Sequence, residues 1–373
     1  MTLTRRRFLA GSGATFAVPY VPYGQVPYPA ERIAPMLMVG FDGTSSTATG
    51  ARQTAEHIAA GRVGGVCFIY KNAVSRPGVE SLTDLFHSAA SRWPLLMAID
   101  QEGGQVQRLS SHLGYGYEPS AIKVATNLDI EEAHRTYSDM AAAMRSSGFN
   151  LNLAPVVDLG FEPRSASITR LGRSFGADPE TVIKYSRAFV AGHREQNVLT
   201  ALKHFPGHGS ALLDSHDGGV DVTKTWRESE LEPYTCLVRE GAVDLIMIGH
   251  ITHSELTQGQ PASLSADAVN GMLRKRVGFD GVAITDDLDM RAVRKDNTLE
   301  EAAVRAVAAG NDVLLFTNKD SLPDLPTRLI AAIQLGIAER RIGTDQIEAS
   351  VARIEKLKQS LTARVLAQAP LSL

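Results

Sequence analysis

The stretch MLMVGFDGTSS, residues 36–46, is the part of the sequence that decides the fold class. Its first six residues form a continuous apolar run, which is typical of a strand buried on both faces of a parallel sheet. A doubly wound open sheet often carries a glycine-rich GxGxxG loop after its first strand, and the DGTSS segment lacks that pattern. The stretch therefore favours a closed barrel over an open sheet.

Seven more apolar runs follow at residues 65–70, 95–100, 150–158, 199–205, 244–250, 281–286 and 312–316. Helical patterns separate these runs, as in residues 131–147, where apolar side chains recur on one face. Asp178 before a proline is expected to cap another helix, and the spacing of Thr225 and Glu228 predicts a capping box. A last amphipathic helix is expected at residues 344–361, docked outside the strands. Eight strands that alternate with helices predict a (β/α)₈ TIM barrel of the α/β class.

The composition is that of an ordinary globular protein. The 373 residues are 44% hydrophobic and 21% charged, and the formal net charge is −3. Without a basic surplus we expect no nucleic-acid partner. Cys67 and Cys236 match no metal-binding spacing, and both are expected to be buried free thiols. No internal repeat or long linker interrupts the pattern, so residues 31–373 are predicted to form a single catalytic domain.

Residues 1–30 have a different character and are predicted to be an export signal and leader. The segment TRRRFL, residues 4–9, precedes a short stretch of small and apolar residues, as in a twin-arginine signal. The apolar stretch is too short to span a bilayer, so we expect no stable membrane insertion. This interpretation predicts a periplasmic or secreted protein. The alternative is a frayed basic terminus on a cytoplasmic protein.

Ionisable residues occur where several predicted strands end. They are Asp100, Asp158, Lys203, His204, His250 and Asp286. Because barrel enzymes place their chemistry at the carboxyl ends of the strands, we expect these groups to converge on one mouth.

The segment after the fifth strand, KHFPGHG at residues 203–209, is rich in turn-forming residues and leads to Asp214 and His216. A carboxylate two residues before a histidine can orient the imidazole and raise its basicity, which suits a general acid/base. A metal site is the competing interpretation, since His204 and His208 could join Asp214 and His216 as ligands. The first strand lacks the histidine pair typical of metal-dependent barrel hydrolases, so we expect neither metal nor cofactor.

The segment AITDDLDM, residues 283–290, carries three carboxylates out of an apolar strand. Displacement at the anomeric carbon of a sugar needs an ionised carboxylate on one face and a proton donor on the other. Asp286 is best placed for the first role, because it is the first residue after the apolar run. Asp287 and Asp289 are expected to be solvated or to cap the next helix.

Taken together, these segments resemble glycoside hydrolase family 3, in its single-domain β-N-acetylglucosaminidase branch. The matching segments occur in the family's order and spacing: residues 100–108 (DQEGGQVQR), 151–158 (LNLAPVVD), 172–176 (GRSFG), 203–209 (KHFPGHG), 214–216 (DSH) and 285–290 (TDDLDM). The similarity extends over residues 35–345.

The resemblance implies a retaining β-N-acetylhexosaminidase that releases terminal β-linked N-acetylglucosamine through a covalent glycosyl-enzyme intermediate. It implies that Asp286 is the nucleophile and that His216, paired with Asp214, is the general acid/base. It also implies a small carbohydrate substrate taken from peptidoglycan-derived or chitin-like fragments. The residues that it implies for holding the sugar are Asp100, Arg108, Arg173, Lys203 and His204.

Three alternatives stay open at this point. A phosphorylase would use the same residues with phosphate as the acceptor, because a histidine acid/base repels an incoming anion less than a carboxylate does. Another family 3 β-glycosidase, such as a β-glucosidase or xylosidase, would share the fold and the nucleophile. A carbohydrate-binding barrel without catalysis belongs to a different class, and the presence of both Asp286 and His216 disfavours it.

Overall fold

The computed structural model describes residues 27–90, 94–214 and 218–368, with side chains up to residue 362. Eight parallel strands make up its main sheet: β1 (Leu37–Val39), β2 (Gly65–Phe68), β3 (Leu96–Ile99), β4 (Leu151–Asn152), β5 (Leu199–Phe205), β6 (Leu245–Ile248), β7 (Val282–Thr285) and β8 (Leu314–Phe316). Most of the predicted export segment, residues 1–26, lies outside the described residues.

The strands pair in chain order and the sheet closes on itself. Each strand from β1 to β6 is hydrogen-bonded to the next one along the chain. The contact between β7 and β8, here called the seam, is a single bridge. β1 pairs with β8, and a bridge between Ile284 and Val313 joins β7 to β8. The backbone N–H of Thr285 donates to the carbonyl of Val313 at 2.9 Å across that seam. The predicted (β/α)₈ barrel is confirmed.

The longer helices lie between the strands, as the alternating pattern predicts. They are Thr49–Ala59, Arg76–Ala89, Ala121–Asn127, Ile130–Ser146, Pro179–Glu195, Glu232–Arg239, the π-helical Asp267–Val277, Leu299–Ala309, Leu325–Ala338 and Thr344–Gln368, with single turns at Ala30–Ile33 and Arg291–Arg294. Asp178 accepts a hydrogen bond from the backbone N–H of Thr181, which confirms it as an N-cap. Ile347, Val351 and Ile354 of the last helix are buried, as its periodicity predicts.

The capping box predicted at Thr225 and Glu228 is wrong. The backbone N–H of Thr225 donates to the carbonyl of Val222 in a turn, and Glu228 begins a short 3₁₀ segment without a side-chain cap. The α-helix begins only at Glu232, with Pro233 in its first turn. Proline lacks an N–H and fits only the start of a helix, so it sets the boundary more strongly than the box spacing does.

The barrel interior is filled by the strands' apolar side chains, and β1, β2, β3 and β5 to β8 are buried along their whole lengths. The prediction for the cysteines is correct in part: both are free thiols, but Cys67 is buried whereas Cys236 is only half-buried. Among the described residues, no helix is both long enough and apolar enough to cross a membrane.

Two small elements lie beyond the carboxyl ends of the strands. Gln101–Gly103 pairs antiparallel with Val106–Gln107 directly after β3. Val220–Asp221 pairs in parallel with Ile251–Thr252, which follows β6. Both elements extend the barrel at the end where the βα-loops lie, so they help to shape its mouth.

Candidate active site

A cleft opens at the carboxyl ends of the barrel strands. Its lining combines ionisable and apolar side chains. The lining residues are Cys67, Ile69, Tyr70, Asp100, Glu102, Val106, Arg108, Leu153, Leu171, Arg173, Lys203, His204, Asp214, Met247, Asp286, Asp287, Met290, Leu315, Thr317 and Lys319. A polar cluster within a largely apolar concavity is typical of a small-molecule site.

Seven of the eight residues predicted for the site line this one cleft: Asp100, Arg108, Arg173, Lys203, His204, Asp214 and Asp286. They come from the ends of four different strands and the loops that follow them, so the closed barrel brings them together and their closeness in sequence does not. His216, the eighth, lies outside the described residues.

Glu102 is a buried carboxylate of the cleft that binds two cations at once. Arg173 donates to both of its carboxylate oxygens at 2.7 and 2.8 Å, and Lys203 Nζ lies 2.6 Å from Oε1. Burial alone would raise the pKa of Glu102, but the two cations outweigh it and hold that pKa well below its usual range. Glu102 therefore fixes the positions of the Arg173 and Lys203 side chains in the cleft.

The same two cations keep their charge despite being desolvated. Burial would lower the pKa of Lys203, but Asp100 and Glu102 raise it above its ordinary value. The pKa of Arg173 is raised in the same way, against its burial, mainly by Glu102. Lys203 Nζ donates to Asp100 Oδ1 at 2.7 Å, and Arg108 lies 3.9 Å from the other oxygen of Asp100. The result is a fixed array of hydrogen-bond donors and acceptors at the mouth of the barrel.

His204 is held in one tautomer by a buried carboxylate. Its Nδ1 lies 2.7 Å from Asp158 Oδ2, and its Nε2 lies 3.5 Å from a nitrogen of Arg173. A carboxylate can only accept and a guanidinium can only donate, so we place the proton on Nδ1 and leave Nε2 as the acceptor. Burial would raise the pKa of Asp158, but His204 beside it lowers it below its usual value.

Asp286 stands at the end of β7, at the wall of the cleft. Its backbone N–H donates to the carbonyl of Ile248 on β6 at 2.9 Å, and its Oδ1 accepts the backbone N–H of Asp287 at 2.8 Å. Both the backbone and the carboxylate of Asp286 are thus held by the strand ends. A carboxylate fixed in this way is suited to attack or to stabilise an electron-poor carbon in the cleft.

The two carboxylates after Asp286 are buried, which contradicts the expectation that they are solvated or cap a helix. Asp287 accepts from the backbone N–H and the hydroxyl of Thr317 at 2.9 and 2.7 Å, and from the N–H of Asp289 at 3.0 Å. Asp289 accepts the backbone N–H of Lys319 at 2.7 Å. The two side chains tie the loop after β7 to the loop after β8. Their carboxylates are therefore taken up by hydrogen bonds across the seam of the barrel.

Two of the ionisable residues expected at the mouth lie beneath it. His250 is fully buried, with Nδ1 at 2.8 Å from the hydroxyl of Ser263 and Nε2 at 2.9 Å from the carbonyl of Asp287. Asp158 is also buried, and it accepts the backbone N–H groups of His204 and His208 at 3.1 and 2.8 Å. Both support the walls of the cleft rather than line it.

The first part of the loop after β5, upstream of Asp214, is held by hydrogen bonds to Glu230 and Trp226. Gly209 donates its backbone N–H to Glu230 Oε2 at 3.0 Å, and Trp226 Nε1 donates to the carbonyl of Pro206 at 3.1 Å. A Cβ on Gly209 would lie 1.7 Å from the carbonyl oxygen of Leu159, so only glycine fits there. This anchoring directs the chain towards the cleft that Asp214 lines.

Sequence reasoning missed Glu102, Thr317, Lys319 and Glu230 as parts of the site or its support. Glu102 lay within the segment DQEGGQVQR, and a charge between a buried strand and a glycine pair was a usable signal. The others carry no local signal, because their roles depend on contacts across the barrel. Among the described residues, no group of three or more His, Cys, Asp or Glu side chains is arranged to hold a metal ion.

Comparison with known proteins places this chain in a family. The model for the "Glycosyl hydrolase family 3 N terminal domain" matches residues 30–357. Beta-hexosaminidase LpqI of Mycobacterium tuberculosis is 37% identical over 273 residues, which are 71% of this chain and 68% of that protein. A beta-hexosaminidase of Xylella fastidiosa is 35% identical over 298 residues, 78% of this chain and 85% of that protein.

Solved structures agree with the sequence relatives. The structure of M. tuberculosis LpqI has a TM-score of 0.78 at 31% identity, covering 89% of this chain and 94% of that chain. A family 3 β-N-acetylglucosaminidase from Paenibacillus sp. str. FPU-7 has a TM-score of 0.80 at 29% identity. That alignment covers 93% of this chain but only 65% of the longer Paenibacillus chain. The chain belongs to glycosyl hydrolase family 3 and is a glycoside hydrolase.

Proposed function

We propose that this protein is a retaining β-N-acetylhexosaminidase that releases terminal β-linked N-acetylglucosamine from peptidoglycan-derived or chitin-like fragments. The observation that carries the proposal is the cleft itself. Asp286 and Asp214 line the same concavity as Arg173, Lys203 and Asp100. Nucleophile, acid/base partner and sugar-holding groups thus share one site. The relatives named beta-hexosaminidase support the choice of an N-acetylated sugar.

The proposed reaction has two steps on opposite faces of the sugar ring. In the first, Asp286 attacks the anomeric carbon while His216 gives its proton to the leaving glycosidic oxygen. The bond from the anomeric carbon to the leaving oxygen breaks as the bond to the aspartate forms. In the second, His216 takes a proton from water, and the water oxygen displaces Asp286 from the same carbon. The sugar therefore leaves with the configuration that it had in the substrate.

Asp214 supports this role for His216 through its position two residues earlier in the chain and its place in the cleft wall. An ionised carboxylate beside an imidazole stabilises the imidazolium, which must be charged to act as an acid. The assignment of His216 itself rests on the matching DSH segment at residues 214–216.

The sugar-holding groups are proposed to bind the ring hydroxyls. Asp100 accepts from two neighbouring hydroxyls, while Arg173 and Lys203 donate charge-assisted hydrogen bonds. Their geometry is fixed before substrate arrives, because Glu102 already binds both cations. Little energy is then spent on ordering the site during catalysis.

Hydrolysis of a chromogenic β-N-acetylglucosaminide and of the matching β-glucoside by the purified protein tests the proposal. We expect a strong preference for the N-acetylated sugar and, by NMR, a first product in the β configuration. Equal or reversed preference would exclude the hexosaminidase assignment, and a first product in the α configuration would exclude retention. A rate that rises with phosphate concentration, with release of sugar 1-phosphate, would favour the phosphorylase.

We also propose export through the twin-arginine route, supported by the segment TRRRFL at residues 4–9. Cell fractionation of the full chain should find the protein outside the cytosol. The double variant Arg6→Lys, Arg7→Lys should remain in the cytosol, because the twin-arginine route recognises the arginine pair. Unchanged export of the double variant would contradict this part of the proposal.

A further inference from the structure

The exposed apolar side chains of this protein are concentrated at one end of the barrel. In the described part of the chain, six large hydrophobic residues are exposed: Tyr70, Val74, Tyr117, Ile122, Leu212 and Leu213. All six belong to segments that follow β2, β3 or β5, on the side of the barrel where the cleft opens. A single exposed apolar side chain is unremarkable, but a set confined to the active-site face points to binding.

Tyr70 differs from the other five because it also lines the cleft. It is 73% exposed, which is the highest value in the set, and it follows the buried strand β2. A large ring that is left in solvent at the rim of a substrate cleft contributes little to the stability of the fold. Its contact surface is therefore available to a ligand.

The turn that presents Tyr70 is held rigidly by a buried side chain. Asn72 accepts the backbone N–H of Ile69 at 3.0 Å and donates to the carbonyls of Phe41 and Gly43 at 3.1 and 2.9 Å. The backbone N–H of Asn72 returns a hydrogen bond to the carbonyl of Ile69 at 2.9 Å. The turn is thus pinned to the loop after β1, with Tyr70 between its two ends.

This arrangement displays an aromatic ring at low entropic cost. Asn72 is fully buried, so its four hydrogen bonds are shielded from water and the turn is ordered before any ligand binds. Tyrosine adds only two rotatable side-chain angles and combines an apolar face with a polar tip. A preorganised aromatic surface of this kind favours binding because little freedom is lost on contact.

The cleft offers two kinds of contact surface, one charged and one aromatic. The charged groups around Glu102 suit the hydroxyls of the terminal sugar, whereas Tyr70 offers a flat apolar face. A pyranose ring has such a face too, made by its axial C–H groups, and it stacks on aromatic rings. Since the terminal sugar already takes the charged groups, the ring at the rim fits the next sugar of the chain.

We propose that Tyr70 is a stacking platform for the second sugar, on the leaving-group side of the scissile bond. The inference rests on the proposed function and refines it, because it makes an oligosaccharide the preferred substrate. Tyr70 would determine specificity without taking part in bond breaking. A minimal substrate whose leaving group is methanol would gain nothing from the platform.

The test compares Tyr70→Ala with the wild type on two substrates, N,N′-diacetylchitobiose and methyl β-N-acetylglucosaminide. We expect KM for the disaccharide to rise about tenfold, the range of a single aromatic contact. The kcat for the disaccharide and both constants for the methyl glycoside should stay near wild type. Tyr70→Phe should behave as wild type, because stacking needs the ring and not the hydroxyl.

Tyr117→Ala is the matched control, since Tyr117 is 64% exposed on the same face and is not among the cleft-lining residues. This variant should leave KM and kcat for both substrates at their wild-type values. An equal rise in KM for both substrates with Tyr70→Ala, or an unchanged KM for the disaccharide, would overturn the proposed role of Tyr70. If the wild type turned over neither substrate, the proposed function would fail. Calorimetric binding of both sugars to Asp286→Ala, with and without Tyr70→Ala, would then decide the platform separately.

Discussion

Glu102 shows how one side chain sets the character of the cleft. It lies buried between Arg173 and Lys203, and each of the three would be costly to desolvate alone. Together they leave two cations charged and positioned, with Asp100 adding a second carboxylate beside Lys203. The surface proposed to hold the sugar is therefore one coupled network rather than a set of independent donors.

The variant Glu102→Gln tests this coupling. Without the carboxylate, Arg173 and Lys203 repel each other and lose their fixed positions, so kcat/KM should fall by on the order of a hundredfold. Because the folded pKa of Glu102 is depressed, its stabilising effect is complete above its unfolded pKa and is lost as pH falls below it. The difference in thermal stability between wild type and variant should therefore shrink when measured in acid. A variant with wild-type kcat/KM would contradict the coupling.

Glu230 makes the opposite contribution to pH dependence. Burial, with help from Asp158, raises its pKa to about 7, so the folded protein keeps a proton that the unfolded chain releases near the ordinary value of 4.5. Stability should fall as pH rises between these two values and level off above the higher one. Relative to Glu230→Gln, the wild type should lose on the order of 2 °C in Tm between pH 5 and pH 8. Parallel Tm curves for the two proteins would show that Glu230 does not titrate in this range.

Strand-end positions predicted much of the site from the sequence alone. Asp100, Lys203, His204 and Asp286 line the cleft because the carboxyl ends of parallel strands meet at one mouth. The same rule misplaced Asp158 and His250, which are buried beneath the mouth. Position along a strand fixes which end a residue occupies. It does not fix whether the side chain faces the cleft or the supporting loops.

The loop after β5 depends on backbone contacts that leave no sequence signature beyond glycine. Its root is fixed by Asp158, which accepts the N–H groups of His204 and His208, and by Glu230, which accepts that of Gly209. The carbonyl oxygen of Leu159 occupies the place that a side chain on Gly209 would need. Since the chain runs from here to Asp214, small shifts at the root are expected to displace the proposed acid/base pair.

Gly209→Ala should therefore lower activity on a chromogenic β-N-acetylglucosaminide by at least about tenfold, because the new Cβ would force the loop away from Leu159. Gly271→Ala provides the control, since a Cβ there has no heavy atom within 4 Å among the described residues. The control should retain wild-type activity and stability. A fully active Gly209→Ala protein would show that the loop root does not position the catalytic groups.

Helices and strands differed in how well the sequence predicted them. All eight apolar runs became strands, since continuous apolar runs between helices have few alternatives in a barrel. The Asp178 cap was confirmed, whereas the box at Thr225 was wrong because Pro233 sets the helix start. The bounds of elements follow from such local competition, which spacing alone does not resolve.

The barrel as a whole is locked at the seam between β7 and β8. Asp312, fully buried before β8, accepts from the backbone N–H of Ala283 at 2.8 Å and from Arg274 at 2.6 Å. It also accepts from Ser350 at 2.8 Å and Arg353 at 3.2 Å on the last helix. One carboxylate therefore joins β7, the π-helical segment and the C-terminal helix.

Asp312→Asn should lower the free energy of unfolding by on the order of 3 kcal/mol, because it leaves a buried arginine without its counter-charge. The loss should appear in a urea titration at constant m-value. Activity at 25 °C should be kept, since Asp312 does not line the cleft. An unchanged unfolding midpoint would mean that the seam is held mainly by its backbone hydrogen bonds.

The central claim is that Asp286 forms the covalent bond to the sugar, and trapping that intermediate tests it most directly. The protein would be incubated with a 5-fluoro N-acetylglucosaminyl fluoride, which forms the glycosyl-enzyme quickly and releases it slowly. We predict a mass increase of one fluorinated sugar, on the peptide that contains residues 282–290, and no labelling of Asp286→Ala. A label on any other residue, or an unlabelled protein that still hydrolyses β-N-acetylglucosaminides, would contradict the account.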